Sequence, residues 1–180
     1  MRKWMMTFTG RTVDPLNPKL SDIDIVDIAH HLAIENRYGG ATRVPYPVAQ
    51  HSTLVGRMLH PDHALEGHLH DASEYITKDL PKPIKDAIKT DEYEELERIW
   101  REVIFQRFEV ESTPESRAAV KIIDQRIVLD ETRALMARPD LYPIEYPDLE
   151  PLLIMIHPWP WTLAKGVFLD EFEYYMEARG

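Results

Sequence analysis

The sequence predicts an all-α protein, a compact helical bundle of roughly six to eight helices forming one domain over residues 1–180, with at most a short N-terminal β-hairpin. Three observations point there. Apolar residues recur at helical spacing along most of the chain, capping residues and prolines punctuate those stretches, and no strand run is long enough for a central sheet. With 180 residues, 44% of them hydrophobic, the chain can bury one substantial core.

At the N-terminus, Trp4 to Thr9 alternates loosely and meets Gly10, Arg11-Thr12-Val13 and the breakers Asp14-Pro15 and Asn17-Pro18, the pattern of a short hairpin. Ser21 is the expected N-cap of a first helix carrying Ile25, Ile28, Ala29 and Leu32 and ending at Gly39-Gly40, with Arg37 and Tyr38 at its exit. Pro47 is placed as the first residue of the next helix, which runs to about His60 and holds His51 near its start. A central helix follows from about Ala64 to Thr77. Ile84 to Ala87 starts a short helix, and Glu92 to Phe108 a longer amphipathic one with Leu96, Ile99, Trp100, Val103, Ile104 and Phe108 inward. Thr113 as N-cap and Pro114 at the first position open a long helix to about Ala137. Pro139 to Pro151 reads as loop, and a last helix after Trp161 buries Ala164, Val167, Phe168, Phe172 and Tyr175.

Composition narrows the function. A formal net charge of −10 repels nucleic-acid backbones and anionic lipid, so neither is expected as a partner. No run approaches the ~18 apolar residues of a membrane span, and the N-terminus develops no signal-peptide core. The expectation is a soluble cytoplasmic protein. With no cysteine, any metal must be held by the eight histidines and the carboxylates.

The stretch Gly67-His68-Leu69-His70-Asp71-Ala72-Ser73-Glu74 concentrates such groups. At ~100° per residue, Leu65, Leu69, Ala72 and Ile76 share one helical face, and His70, Asp71 and Glu74 fall on the opposite arc. An imidazole beside a carboxylate suits a borderline divalent cation that also holds a water. His51 lies among Val48, Ala49, Leu54 and Val55, and Asp124 within an apolar helical stretch where a carboxylate needs a cation. His51, His70, Asp71 and Asp124 thus form a candidate four-ligand set spread over separate helices.

His51…His70-Asp71…Asp124 resembles the metal-binding signature of the HD-domain phosphohydrolases, an all-helical superfamily acting on phosphate esters. Asp27-Ile28-Ala29-His30, Arg37-Tyr38-Gly39-Gly40, Val48-Ala49-Gln50-His51-Ser52, His70-Asp71-Ala72-Ser73-Glu74, Asp79-Leu80-Pro81-Lys82-Pro83-Ile84-Lys85 and Phe168-Leu169-Asp170-Glu171-Phe172 are similar to its small bacterial and phage branch. That branch includes 5′-deoxynucleotidases and phage dATP triphosphohydrolases. The resemblance implies a divalent metal, zinc, cobalt or manganese first among the choices, on His51, His70, Asp71 and Asp124. It implies catalytic roles for Glu74 and Asp79, or a second divalent ion held near them. It also implies a homo-oligomer, a dimer or a higher even assembly, and residence in the host cytoplasm if the chain is phage-encoded.

Two positions depart from the branch. Tyr38 replaces a tryptophan, which alters base or sugar stacking there, and Gln50 replaces a glutamate that often precedes the first histidine. For the substrate, Lys85 and Lys89 lie four apart after the Asp79 turn, and Lys121 lies one turn before Asp124 on its face. With Arg37 these make a candidate polyphosphate clamp, which leans the expectation to dATP cleaved to deoxyadenosine and triphosphate. A 5′-deoxynucleotidase acting on monophosphates is the alternative, and a nucleotide-sensing module without turnover the third reading. A cyclic-dinucleotide phosphodiesterase lacks support because the Gly-Tyr-Pro motif of that branch is missing; a ppGpp hydrolase is a further variant. Of the remaining candidates, His30 is expected as a core or supporting histidine, His60, His63 and His68 as surface residues, and His157 as structural. Asp130 and Glu131 are expected to be explained by solvation or ion pairing.

Overall fold

The computed structural model describes residues 4–88, 91–142 and 148–179. Among these the protein is helical apart from one antiparallel hairpin, β1 (Met5–Met6) and β2 (Thr12–Val13), with Met5 opposite Val13 and Met6 opposite Thr12. Gly10, at φ +85°, lets the connecting turn close, and Thr7 N–H donates to the Arg11 carbonyl at 2.9 Å. The buried Asp27 carboxylate then fixes the hairpin by accepting from the Thr7 and Thr9 hydroxyls and the Thr9 N–H.

Eight α-helices follow among the described residues: α1 (Ile25–Ile34), α2 (Val48–Arg57), α3 (Pro61–His68), α4 (Glu74–Thr77), α5 (Lys82–Ile88), α6 (Asp91–Arg107), α7 (Pro114–Leu135) and α8 (Trp161–Glu177). The start of α7 matches the sequence expectation, with a reciprocal cap in which Thr113 and Ser116 exchange backbone and hydroxyl hydrogen bonds. Elsewhere the local chemistry moved boundaries. Asp24, not Ser21, caps α1, because its carboxylate reaches the Val26 N–H at 2.9 Å. The helix stops at Ile34, five residues before Gly39. Glu35 is extended there, and Arg37 N–H and Val48 N–H turn to the Tyr46 and Glu35 carbonyls instead of continuing the helix. Pro47 precedes α2 as its N-cap, and α2 ends at Arg57.

The largest correction concerns the expected helix over 64–77. It is two helices, α3 and α4, separated by turns at 69–73. An unbroken helix needs the Gly67 carbonyl for the Asp71 N–H. That carbonyl instead accepts from His70 Nδ1 at 2.7 Å, and the Asp71 carbonyl accepts from Glu74 N–H at 3.0 Å to restart the chain as α4.

α2 packs on α3 and α8, and α1 on α8 and α2, around a core that includes Ile28, Leu32, Leu69, Trp100, Ile104 and Phe168, none of them exposed. Each such side chain contributes about 1.5–3 kcal/mol on burial. Trp100 also satisfies its indole N–H on the Pro15 carbonyl at 2.8 Å, which ties the proline loop to α6. A second cluster, Tyr46, Val55, Val120, Ile127, Leu135 and Ile156, packs α7 against α2. The seam between the two clusters, bordered by α2, α7 and the 69–73 turns, is where the ligand candidates meet. No helix of the described residues is long and apolar enough to cross a membrane.

Candidate metal centre

α2 delivers His51, fully buried, and α7 delivers Asp124, while the 69–73 turns deliver His70 and Asp71. On a regular helix two consecutive side chains diverge by ~100°. The turn removes that divergence, and His70 Nε2 lies 3.2 Å from Asp71 Oδ2. His51 Nε2 lies 3.1 Å from Asp124 Oδ1 and 3.5 Å from Asp71 Oδ2, and His70 Nε2 lies 3.9 Å from Asp124 Oδ1. Ligand atoms about 2.1 Å from one ion at tetrahedral or octahedral angles sit about 3.0–3.4 Å apart, close to this spacing. One atom from each of His51, His70 and Asp124 falls within 4.8 Å of the others, so these residues could hold a divalent metal.

Hydrogen bonding behind the imidazoles selects the ligating atoms. His51 Nδ1 is 2.7 Å from Glu131 Oε1, and His70 Nδ1 is 2.7 Å from the Gly67 carbonyl. Each bond places the ring proton on Nδ1 and leaves Nε2 as the free lone pair. Both Nε2 atoms are buried with no hydrogen-bond partner. Two unpartnered nitrogens converging on two carboxylates fit the chemistry of a borderline divalent cation.

The field at this point has the matching sign. Burial and the Arg37 charge oppose a second proton on His51, yet Glu131 and Asp124 lift its pKa to about 9, so that without a metal ion a proton takes the Nε2 position that the ion would occupy. Asp71 and Asp124 are held low against the cost of burial, Asp71 by His70, His51 and Arg37, and Asp124 by the charges of His51, His70 and Arg37. Five carboxylates, Asp71, Glu74, Asp79, Asp124 and Glu131, gather around Arg37 and Lys85, so the site is short of positive charge.

Glu74 and Asp79 line the same cleft as Asp71 and Asp124, in a cavity of about 910 Å³. Burial, together with Asp71 and Asp79, raises the Glu74 pKa well above the usual carboxylate range, and burial likewise raises that of Asp79. Glu74 Oε2 and Asp79 Oδ2 are buried without partners, and Lys85 Nζ stands 3.7 Å from Glu74 Oε1 and 2.9 Å from Glu97 Oε1.

Of the proposed substrate contacts, Arg37, Tyr38 and Lys85 reach the cleft. Lys121 does not. It is exposed, as is its neighbour Ile122, because the α7 face that seemed apolar in sequence turns partly to solvent. Lys89 lies outside the described residues. Arg37 is spoken for, with Nη1 3.3 Å from Asp71 Oδ2 and Nε 3.3 Å from Glu131 Oε2. Tyr38, in a left-handed conformation at φ 59°, donates its hydroxyl to Glu131 Oε2 at 2.6 Å rather than standing as a free stacking platform.

Glu131 is the residue that sequence reasoning undervalued. Fully buried, it receives His51, Tyr38 and Tyr46, the last at 2.9 Å, and stays ionised because Arg37 and His51 outweigh its desolvation. The signal was present: Glu131 is seven residues from Asp124, two turns along the same face of α7. Gln50, the residue before His51, turns away from the metal ligands. It faces the 157–159 segment, donating to the His157 carbonyl and accepting from Trp159 N–H, each at 2.8 Å. His68, expected at the surface, is fully buried with Nε2 3.0 Å from the Phe168 carbonyl. His30 supports the hairpin, its ring stacked 3.7 Å from Phe8. The buried Asp130 carboxylate accepts from Leu152 N–H at 2.8 Å, a loop anchor.

No protein-family model matches the chain. It is similar to an uncharacterized protein of Rhodobacter capsulatus, 40% identical over 96 aligned positions covering 48% of this chain and 49% of that protein, so the match covers about half of each. It is also similar to the uncharacterized protein YfdR of Escherichia coli, 29% identical over 185 aligned positions covering 98% of this chain and 97% of that protein.

Proposed function

We propose that this chain is an HD-type, metal-dependent phosphohydrolase of 2′-deoxynucleotides. The observation that carries the reading is the pair of imidazoles whose Nδ1 atoms are pinned from behind while both Nε2 atoms face Asp71 and Asp124. A bound divalent ion would lower the pKa of a water and offset charge on a phosphoryl group.

The remaining chemistry belongs to the side chains. Glu74, with a raised pKa and an unpartnered oxygen in the cleft, is suited to orient the attacking water and take its proton. Asp79, similarly raised, would hold or return a proton at the leaving oxygen. Lys85 bridges Glu74 and Glu97, so it fixes the Glu74 carboxylate and brings positive charge to the cleft edge. Leu129, Met136 and Tyr142 add apolar and aromatic surface to the lining, in a cleft large enough for a nucleoside and its phosphates.

Two substrates of this class remain in view. The resemblance favours dATP with release of triphosphate, and Lys85 together with Arg133, an exposed cleft-lining residue with no ion pair among the described residues, brings positive charge to the cleft. The position of Lys121 outside the cleft favours the 5′-deoxynucleotidase reading, because it removes one arm of the expected clamp. A panel of dNTPs, dNDPs and dNMPs, assayed with added manganese, cobalt or zinc and resolved by anion exchange, separates them. Free triphosphate from dATP supports the first, and turnover of monophosphates only the second. Binding of nucleotides without turnover of any would replace both with the sensing module.

A further inference from the structure

A second cavity, of about 510 Å³, opens between α3, α8 and the Val110–Glu111 segment and shares no lining residue with the metal cleft. Its wall includes Glu66, only 5% exposed. Glu66 Oε1 accepts a hydrogen bond from the Ser112 hydroxyl at 2.7 Å, and Oε2 is buried with no partner. An oxygen in that state calls for a hydrogen-bond donor, and an ionised carboxylate is matched best by a cationic one.

The arginines that line the cavity do not supply it. Arg57 donates through Nε and Nη2 to Glu171 Oε1 at 2.8 and 2.6 Å, and Arg179 donates to the Phe108 and Glu109 carbonyls. Asp62 and Glu111 add negative charge at the walls, while Leu65 and the rings of Tyr174 and Tyr175 provide apolar and aromatic surface. Carboxylate, aromatic faces and an apolar body together are the recognition set for an organic cation.

We propose that this cavity is a binding site for a small primary alkylammonium ligand, its N–H groups on Glu66 and its chain against Leu65 and the tyrosines. The N–H requirement follows from the unpartnered Glu66 oxygen, which a quaternary ammonium could not satisfy. The proposal does not rest on the phosphohydrolase reading.

The test uses the full ¹⁵N-labelled chain titrated with hexylammonium, with tetramethylammonium as a cation lacking N–H and hexanol as the same body lacking charge. Saturable shifts of the Leu65, Val110 and Tyr174 amides are expected with hexylammonium alone. Glu66→Gln keeps the shape and should weaken binding about tenfold or more. Tyr174→Ala, at a side chain 64% exposed, should weaken it without threatening the fold. An equal response to hexanol or tetramethylammonium, no saturable response to hexylammonium, or unchanged affinity in either variant would overturn the site. Should Glu66→Gln fail to fold, Tyr174→Ala alone decides.

Discussion

Glu131 is the residue on which the geometry of the centre depends most, although it does not itself line the cleft. It holds the His51 tautomer, neutralises Arg37 and takes the Tyr38 and Tyr46 hydroxyls. Glu131→Gln puts an amide where the donors converge and frees the His51 ring, so metal affinity should fall about 10–100-fold. Chelator competition on the purified variant measures this, and an unchanged affinity would remove Glu131 from the account. His68 gives a second prediction at this scale. Burial lowers its pKa from 6.5 to about 3, so above pH 6.5 it is neutral in both folded and unfolded chains and its contribution is fully present. As pH falls from 6.5 toward 3, the unfolded chain binds a proton that the folded chain refuses. Stability should then drop by about 1.4 kcal/mol per pH unit from this group. Denaturation of the parent and of His68→Gln, which keeps a donor for the Phe168 carbonyl, should show the parent losing more between pH 7 and pH 5. Equal losses would mean that His68 titrates normally.

Among the elements, the α3–α4 break sets the geometry of the candidate metal centre and was the least legible in sequence. Periodicity correctly assigned Leu65, Leu69, Ala72 and Ile76 to the interior, because they are buried in either geometry. It could not reveal that His70 would take the Gly67 carbonyl from the backbone, since that competition is between a side chain and a hydrogen bond of equal local cost. The α7 cap was legible because Thr-Pro fixes it locally, whereas the end of α1 depends on the distant Tyr46 and Val48. Lys121 misled for a related reason: apolar neighbours in sequence do not establish which part of a long helix is covered. Gln50 illustrates the same limit, since its partners lie more than one hundred residues away. Restoring the acidic residue with Gln50→Glu removes the donor to the His157 carbonyl and sets like partial charges together. A loss of about 1–3 kcal/mol in denaturant unfolding is expected. Stability equal to the parent would show that the 157–159 segment is held by other contacts.

For the whole molecule, the all-helical class and the short hairpin followed from patterning alone, while the assembly state did not. The hairpin leaves Met6 and Phe8 exposed, and Phe8 continues through the stacked His30 to the exposed Trp161. Such a patch on a small protein favours self-association, so a dimer or higher even assembly is expected in light scattering at micromolar concentration. A monomer there would contradict it. The architecture otherwise serves the seam between its two apolar clusters, where α2, α7 and the turn before α4 bring two nitrogens and two carboxylates to one point.

That convergence is tested most directly by elemental analysis of the reconstituted protein and its Asp71→Ala and His70→Ala variants, with deoxynucleotide turnover followed on the same samples. The parent should carry about one tightly held divalent ion per chain at this centre, and each variant should lose that ion together with hydrolysis. Unchanged metal stoichiometry and full activity in Asp71→Ala would place the metal and the chemistry elsewhere in the molecule.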